Sequence, residues 1–323
     1  MGELDRVGLA LWTMQSTAAG PGLHRTLYRR FGEDAQLADR LGFAAVWIGE
    51  HRVWYDGWCP APLHALAYVA GLTERIHLGT AMYLVPQHDA DGAARTLAQL
   101  DELSGGRLEL GAGLGYRDPE FDALGLQRNQ RGKLMDANLD AIEAAWAGAG
   151  GEQPPTKRPA PRIWMGGMAP QAIARAARRG YGLLLPQTLS LDEVRRIVES
   201  YREQGGAAPV GMLREIWVGE GGERHARRVS LHLTEEAGSW WAMKDSFGFA
   251  APEQIAKQVA RGVSGIATGE ADAVAERLRD TLDAGVDHLA VRFAFEFVEQ
   301  AALHDQIHRL AEDVVPLLAG AGA

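Results

Sequence analysis

The chain has a single cysteine, Cys59, in 323 residues, which excludes an internal disulfide framework and suits a reducing compartment. It also lacks basic excess. Thirty-three Lys and Arg stand against 42 Asp and Glu, a formal charge of −9, and no basic cluster could follow a phosphate backbone. Nucleic acid is therefore not an expected partner. No apolar run reaches the roughly 18–20 residues that cross a bilayer, so no membrane contact is expected. The acidic start Met1-Gly2-Glu3-Leu4-Asp5-Arg6 does not read as a secretory leader, and a cytoplasmic location is expected. No sequence period of about 20–50 residues recurs, which excludes a solenoid. What remains is a hydrophobic fraction of 46%, enough for a large buried core.

That apolar content falls in short runs separated by helical periodicity. Ala44 to Ile48 is apolar, bounded by Gly42 and Gly49, and reads as a strand buried on both faces. Further strands are expected at Val7 to Leu11, Ile76 to Leu84, Leu108 to Ala112, Arg162 to Met165, Gly182 to Leu185, Leu213 to Val218 and Leu289 to Phe293. Helices are expected at 24–40, 60–73, 90–103, 131–146, 170–179, 191–204, 271–284 and 299–318. Strand and helix alternate eight times, which favours a closed (β/α)8 TIM barrel over an open doubly wound sheet. The whole of 1–323 reads as one domain. Gly- and Pro-rich residues 148–161 are the best linker candidate, yet the alternation resumes at once. Residues 219–269, after strand seven, are longer than an αβ unit needs and read as an insertion or lid.

Polar chemistry gathers where the strands end. The second strand stops at Glu50 and His51, which at the carboxyl end of a parallel strand are candidate catalytic groups. A buried structural histidine is the competing reading. Gly111-Ala112-Gly113-Leu114-Gly115 has the wrong spacing for a dinucleotide fingerprint, and Tyr116-Arg117-Asp118-Pro119-Glu120 after it reads as a turn. Its glycines either let a flat ring approach or permit tight packing. Gly166-Gly167-Met168-Ala169-Pro170 joins a strand to a helix and could present amides to a phosphate. Trp54, Tyr55 and Trp58 either line an apolar pocket or clamp their own loop, and Trp12 is either pocket wall or barrel plug. His304-Asp305-Gln306-Ile307-His308 only faintly resembles a zinc helix and lacks a third ligand, so it reads as a solvated face and no metal is expected.

Together these stretches resemble the bacterial luciferase-like family of flavin- or deazaflavin-dependent oxidoreductases. The likeness rests on Leu41 to His51, Thr73 to Ala81, Leu100-Asp101-Glu102-Leu103-Ser104-Gly105-Gly106-Arg107, Gly111 to Tyr116 and Glu120 to Gly125. It continues through Ile163 to Gly167, Gly285 to Leu289 and Glu312 to Pro316. The resemblance implies a barrel that binds FMN, or in some branches F420, at the carboxyl ends of its strands. It makes His51 the proton-handling histidine, with Glu50 orienting the site. It places a non-prolyl cis peptide at Ala81-Met82, the cofactor wall at Gly113, Gly115 and Tyr116, and the phosphate turn at Gly167, Met168 and Ala169. Relatives often carry Arg where Leu114 stands, and Arg117 or Arg131 could compensate. Pro86-Gln87-His88-Asp89-Ala90 replaces a Pro-x-His-His-Pro pattern, and both departures suit a loosely held flavin. The implied activity is a monooxygenase using reduced FMN and O2 on a small apolar or aromatic substrate. A flavin reductase would supply the cofactor, and the chain would form a homodimer. The alternatives are F420-dependent hydride transfer and a non-catalytic flavin-binding barrel subunit.

Overall fold

The computed structural model describes residues 3–16, 24–54, 57–148, 161–245 and 252–318. Tyr55, most of the candidate linker 148–161, and Phe247 to Phe249 of the insertion lie outside them. Parallel strands β1 (Val7–Trp12), β2 (Ala45–Ile48), β3 (His77–Thr80), β4 (Leu108–Ala112), β5 (Arg162–Gly166), β6 (Gly182–Leu185) and β7 (Val210–Val218) pair in sequence order. The last strand, β9 (His288–Arg292), pairs with both β7 and β1 and closes an eight-stranded barrel. The helices between strands are α1 (His24–Leu41), α2 (Pro62–Ala70), α3 (Ala90–Ser104), α4 (Asp118–Asp122), α5 (Arg131–Trp146), α6 (Pro170–Arg179) and α7 (Leu191–Glu203). This is the (β/α)8 barrel that the alternation implies.

The insertion carries α8 (Gly222–Asp245), α9 (Pro252–Gly265) and a three-residue strand, β8 (Ala267–Gly269), before α10 (Ala271–Asp283). The nine residues of β7 serve three partners: Val210–Met212 pair with β6, Gly211–Glu215 with β9, and Ile216–Val218 with β8. The extra strand thus extends the rim without entering the barrel.

Trp47 and Trp164 fill the barrel together with Ala10, Ala45, Leu184 and Ala290. Their rings meet edge to face at 6.0 Å, and the Trp164 Nε1 donates to Glu109 at 2.7 Å. Gly79 is required here, because a Cβ would sit 2.1 Å from the Trp47 ring. Trp12 is not the plug. It turns outward to α1, packs on Phe31 at 5.0 Å and donates to Asp34 at 3.3 Å.

Three local expectations change. The third strand ends at Thr80 rather than Leu84; the Ala81–Met82 peptide that follows is cis, and the chain then turns through Val85–Gln87. Tyr116 to Glu120 leads into the short helix α4, begun with Pro119 in its first turn, where a missing N–H costs no hydrogen bond. The final helix is divided into α11 (Gln300–Arg309), a π turn (Leu310–Val314) and α12 (Val315–Leu318). Pro316 supplies no N–H to the preceding turn, and the wider register falls there.

The Leu-Asp-x-Leu-Ser-Gly-Gly-Arg segment acts as a structural lock. Gly105 closes α3 with φ +69°, and Arg107 donates to the carbonyls of Ala70, Thr73, Ile76 and Ser104 and to the Thr73 hydroxyl. One buried guanidinium thereby fixes the end of α2 and the end of α3 against β3.

Candidate active site

His51 follows β2 and is buried. Its Nδ1 lies 2.8 Å from Glu120 Oε1, and Glu120 of α4 is fully buried. The same carboxylate accepts from the Arg52 amide at 3.1 Å, from Arg117 Nη1 at 3.2 Å and from Gln87 Nε2 at 3.3 Å. Burial pushes the Glu120 carboxyl up, but the His51 hydrogen bond and charge, Gln87 and Arg117 outweigh it and hold it below the usual range. Ionised Glu120 accepts only, so His51 Nδ1 is the donor, and in neutral imidazole Nε2 carries the lone pair. Tyr116 Oη stands 3.3 Å from that Nε2. The rings of Trp54, Trp58 and Tyr116 surround the imidazole at 4.6, 4.7 and 5.3 Å.

Glu50 faces a different set. Its Oε1 receives His88 Nε2 at 2.8 Å and Arg52 Nη2 at 3.3 Å, while Oε2 receives the Leu84 amide at 2.8 Å. His88 stacks on Tyr83 at 3.9 Å. Glu50 therefore ties the segment after β3 to the end of β2.

The glycine wall has a packing reason. A Cβ on Gly111 would lie 1.8 Å from the Thr80 carbonyl oxygen, and on Gly113 and Gly166 it would strike Met82 at 2.6 and 2.7 Å. Gly115 differs, because it has φ +71° and carries the turn that delivers Tyr116. Ala81 and Met82 are half-buried and belong to the layer that packs on the barrel interior. At the end of β5, Gly167 has φ +133°, while Met168 and Ala169 are exposed ahead of α6. Among the described residues the amides of Gly167, Met168 and Ala169 donate no hydrogen bond. Such a turn before a ten-residue helix fits a phosphate.

The two arginines offered for that phosphate separate. Arg117 is buried, donates to the Arg52 and Val53 carbonyls and to Glu120, and lies over the Trp54 ring at 4.2 Å. It is committed to the loop after β2 and cannot serve a phosphate at α6. Arg131 opens α5 beside Gly132, whose carbonyl faces Arg175 of α6 at 3.4 Å. The Arg131 Nη1 itself donates to the Arg128 carbonyl at 3.2 Å.

His51, Trp54, Trp58 and Tyr116 are thus brought into one cluster, whereas Trp12 faces α1. His304 pairs with Asp34 at 2.9 Å and His308 with Glu312 at 2.9 Å. Sequence reading missed Glu120, Gln87 and the structural role of Arg117. The Glu120-Phe121-Asp122-Ala123-Leu124-Gly125 stretch was the available signal for the first of these.

Comparison with known proteins places this geometry. The family model for luciferase-like monooxygenases matches residues 9–288. The oxygenase component of a flavin-dependent trigonelline monooxygenase from Acinetobacter baylyi is 27% identical over 190 residues, 54% of this chain and 53% of that protein. The chain thus spans about half the length of curated relatives it matches. A monooxygenase, RslO1, from Streptomyces bottropensis superposes with a TM-score of 0.82 at 23% identity, covering 97% of this chain and 100% of the other. The oxygenating constituent of 3,6-diketocamphane monooxygenase from Pseudomonas putida, solved with FMN, gives 0.76 at 17% identity over 97% and 98%. These two likenesses concern the fold. With the family model matched from β1 into β9, this chain belongs to the luciferase-like monooxygenase family.

Proposed function

We propose that the chain is the oxygenase of a two-component flavin system, inserting one oxygen atom of O2 into a small apolar or aromatic organic substrate. The observation that carries the reading is family membership over residues 9–288, joined to a similar oxygenase component that is named flavin-dependent. Reduced FMN, when bound, supplies the activation of oxygen. The chain's own residues bind, orient and move protons. Gly167, Met168 and Ala169 would offer the phosphate three amides that donate no hydrogen bond among the described residues, and Arg131 is the arginine we assign to it. Ala81, Met82, Gly113, Gly115 and Tyr116 would border the ring, with Met82 packed over Gly113 and Gly166. His51, held by Glu120, handles protons, and Glu50 secures the loop that frames it. Trp54 and Trp58 form the apolar side of the substrate pocket.

Leu114 in place of an arginine, and an Arg117 already spent on the loop and Glu120, suit a weakly held, diffusing flavin delivered by a separate reductase. We assign the chain to the cytoplasm and to a homodimer paired through barrel helices. The described residues contain no helix long and apolar enough to cross a membrane.

The test mixes the protein with reduced FMN, or with reduced F420, and follows oxygen uptake and cofactor loss across a panel of terpenes, ketones and N-heterocycles. Substrate-dependent oxygen uptake with FMN supports the reading. Consumption of F420 alone, without oxygen, would replace it with hydride transfer. Full biological activity of His51→Ala would reduce the barrel to a binding subunit.

A further inference from the structure

We propose that the Tyr116 hydroxyl is the group that exchanges a proton with the substrate, and that His51 and Glu120 form its buried relay. This rests on the oxygenase reading for its substrate, but not for its geometry. His51 is only 7% exposed, its Nδ1 is taken by Glu120 at 2.8 Å and its Nε2 is covered by Tyr116 Oη at 3.3 Å. Trp54 and Trp58 close two further sides of the imidazole. Tyr116, by contrast, is 44% exposed at the carboxyl end of β4. The chain Glu120–His51–Tyr116 therefore runs from a buried carboxylate to a residue that reaches the surface at the carboxyl end of β4. A ligand at the barrel mouth meets Tyr116 first.

Each member has a reason for its place. Glu120 is fixed by four donors, from His51, Arg52, Gln87 and Arg117, on a helix started by Pro119. That fixed acceptor sets the His51 tautomer, because a carboxylate facing Nδ1 keeps the proton there and leaves Nε2 to accept. Gly115, with φ +71°, turns the chain so that Tyr116 leaves the strand end toward His51.

The proton step balances in both directions. An acidic O–H or C–H of the substrate gives its proton to Tyr116 Oη while the phenol's own proton passes to His51 Nε2. The products are a substrate anion, a neutral phenol and an imidazolium paired with the Glu120 carboxylate. Reversal returns a proton to a basic oxygen of the product. Glu120 and His51 act as positioning and relay residues, and Tyr116 is the catalytic one.

The experiment has two arms. In the first, ring-labelled 15N-histidine spectra read the His51 tautomer in the protein alone. Wild type shows Nδ1 protonated and Nε2 bare. Tyr116→Phe keeps Nδ1–H but shifts Nε2 toward a lone pair that lacks a donor, and Glu120→Gln mixes the two tautomers. A wild-type His51 with its neutral-form proton on Nε2, or an Nε2 signal untouched by Tyr116→Phe, would overturn the relay whatever the enzyme does. In the second arm, kcat and the dissociation constant of reduced FMN are measured for Tyr116→Phe, His51→Asn and the double variant. The expected fall in kcat, taken at reduced FMN concentrations that saturate each variant, is about 10²–10⁴-fold for each single variant, with the double variant no worse than the worse single, as for groups acting as a unit. Near wild-type kcat in Tyr116→Phe, or losses that multiply in the double variant, would overturn the assignment. An enzyme inactive with every substrate fails the oxygenase reading, while the spectra still decide the relay.

Discussion

His225 offers a quantitative test of the packing between the insertion and the barrel rim. It lies on α8, stacks on Trp217 at 4.2 Å and stands 6.0 and 6.4 Å from the Phe295 and Phe297 rings. It is buried, and its Nε2 has no hydrogen-bond partner among the described residues. Burial, with the charges of Arg292 and Arg228, lowers its pKa from the ordinary 6.5 to about 4. On acidification the unfolded chain takes up this proton first, so the native state loses ground as pH falls from 6.5 to about 4 and no further below. The gap between 6.5 and about 4 amounts to roughly 3 kcal/mol, with a slope near 1.2 kcal/mol per pH unit at pH 5. His225→Phe keeps the stack and removes the proton. Urea midpoints of both proteins at pH 7, 6, 5 and 4.5 should diverge, the variant losing up to one proton's worth less stability on acidification. Parallel curves would refute the buried, uncharged His225 and the packing that imposes it.

Two further perturbations test the frame beneath the site. Arg107→Met leaves the carbonyls of Ala70, Thr73, Ile76 and Ser104 without their donor, and should cost more than about 3 kcal/mol in chemical denaturation. Arg107→Lys should recover little of this, since one ammonium cannot span the same carbonyls; a wild-type midpoint for either variant would contradict the lock. Gly111→Ala puts a methyl 1.8 Å from the Thr80 carbonyl and should destabilise by roughly 1–3 kcal/mol or more through displaced backbone. An unchanged thermal midpoint would show that β3 and β4 are not in that contact.

The barrel was legible because burial on both faces makes each parallel strand a short apolar run, and helices between them keep a different period. His51 could be singled out because it stops such a run abruptly. The dyad partner was not legible. Glu120 lies 69 residues downstream on a five-residue helix too short for periodicity, and only the pairing of β2 and β4 on either side of β3 brings it to His51. Of the two readings of Trp12 the barrel plug falls away: Ala10 and Leu11 face the interior layer, while Trp12 packs on α1 and lines a cavity with Met14, Asp34 and Phe295. Gly111 and Gly113 were read equally as ring clearance or tight packing, and the contacts with Thr80 and Met82 supply a packing reason for both. Arg117 looked available to a phosphate because sequence shows its charge but not the two carbonyls and the carboxylate that already use it.

The central claim is that this family member transfers an oxygen atom from O2 by way of reduced FMN. The most direct measurement is mass spectrometry of products formed with a reductase, FMN and 18O2 across the substrate panel. The account predicts a product heavier by one 18O atom, formed only when reduced FMN and the protein are both present. Turnover of substrate with reduced F420 and no label from 18O2 would contradict it.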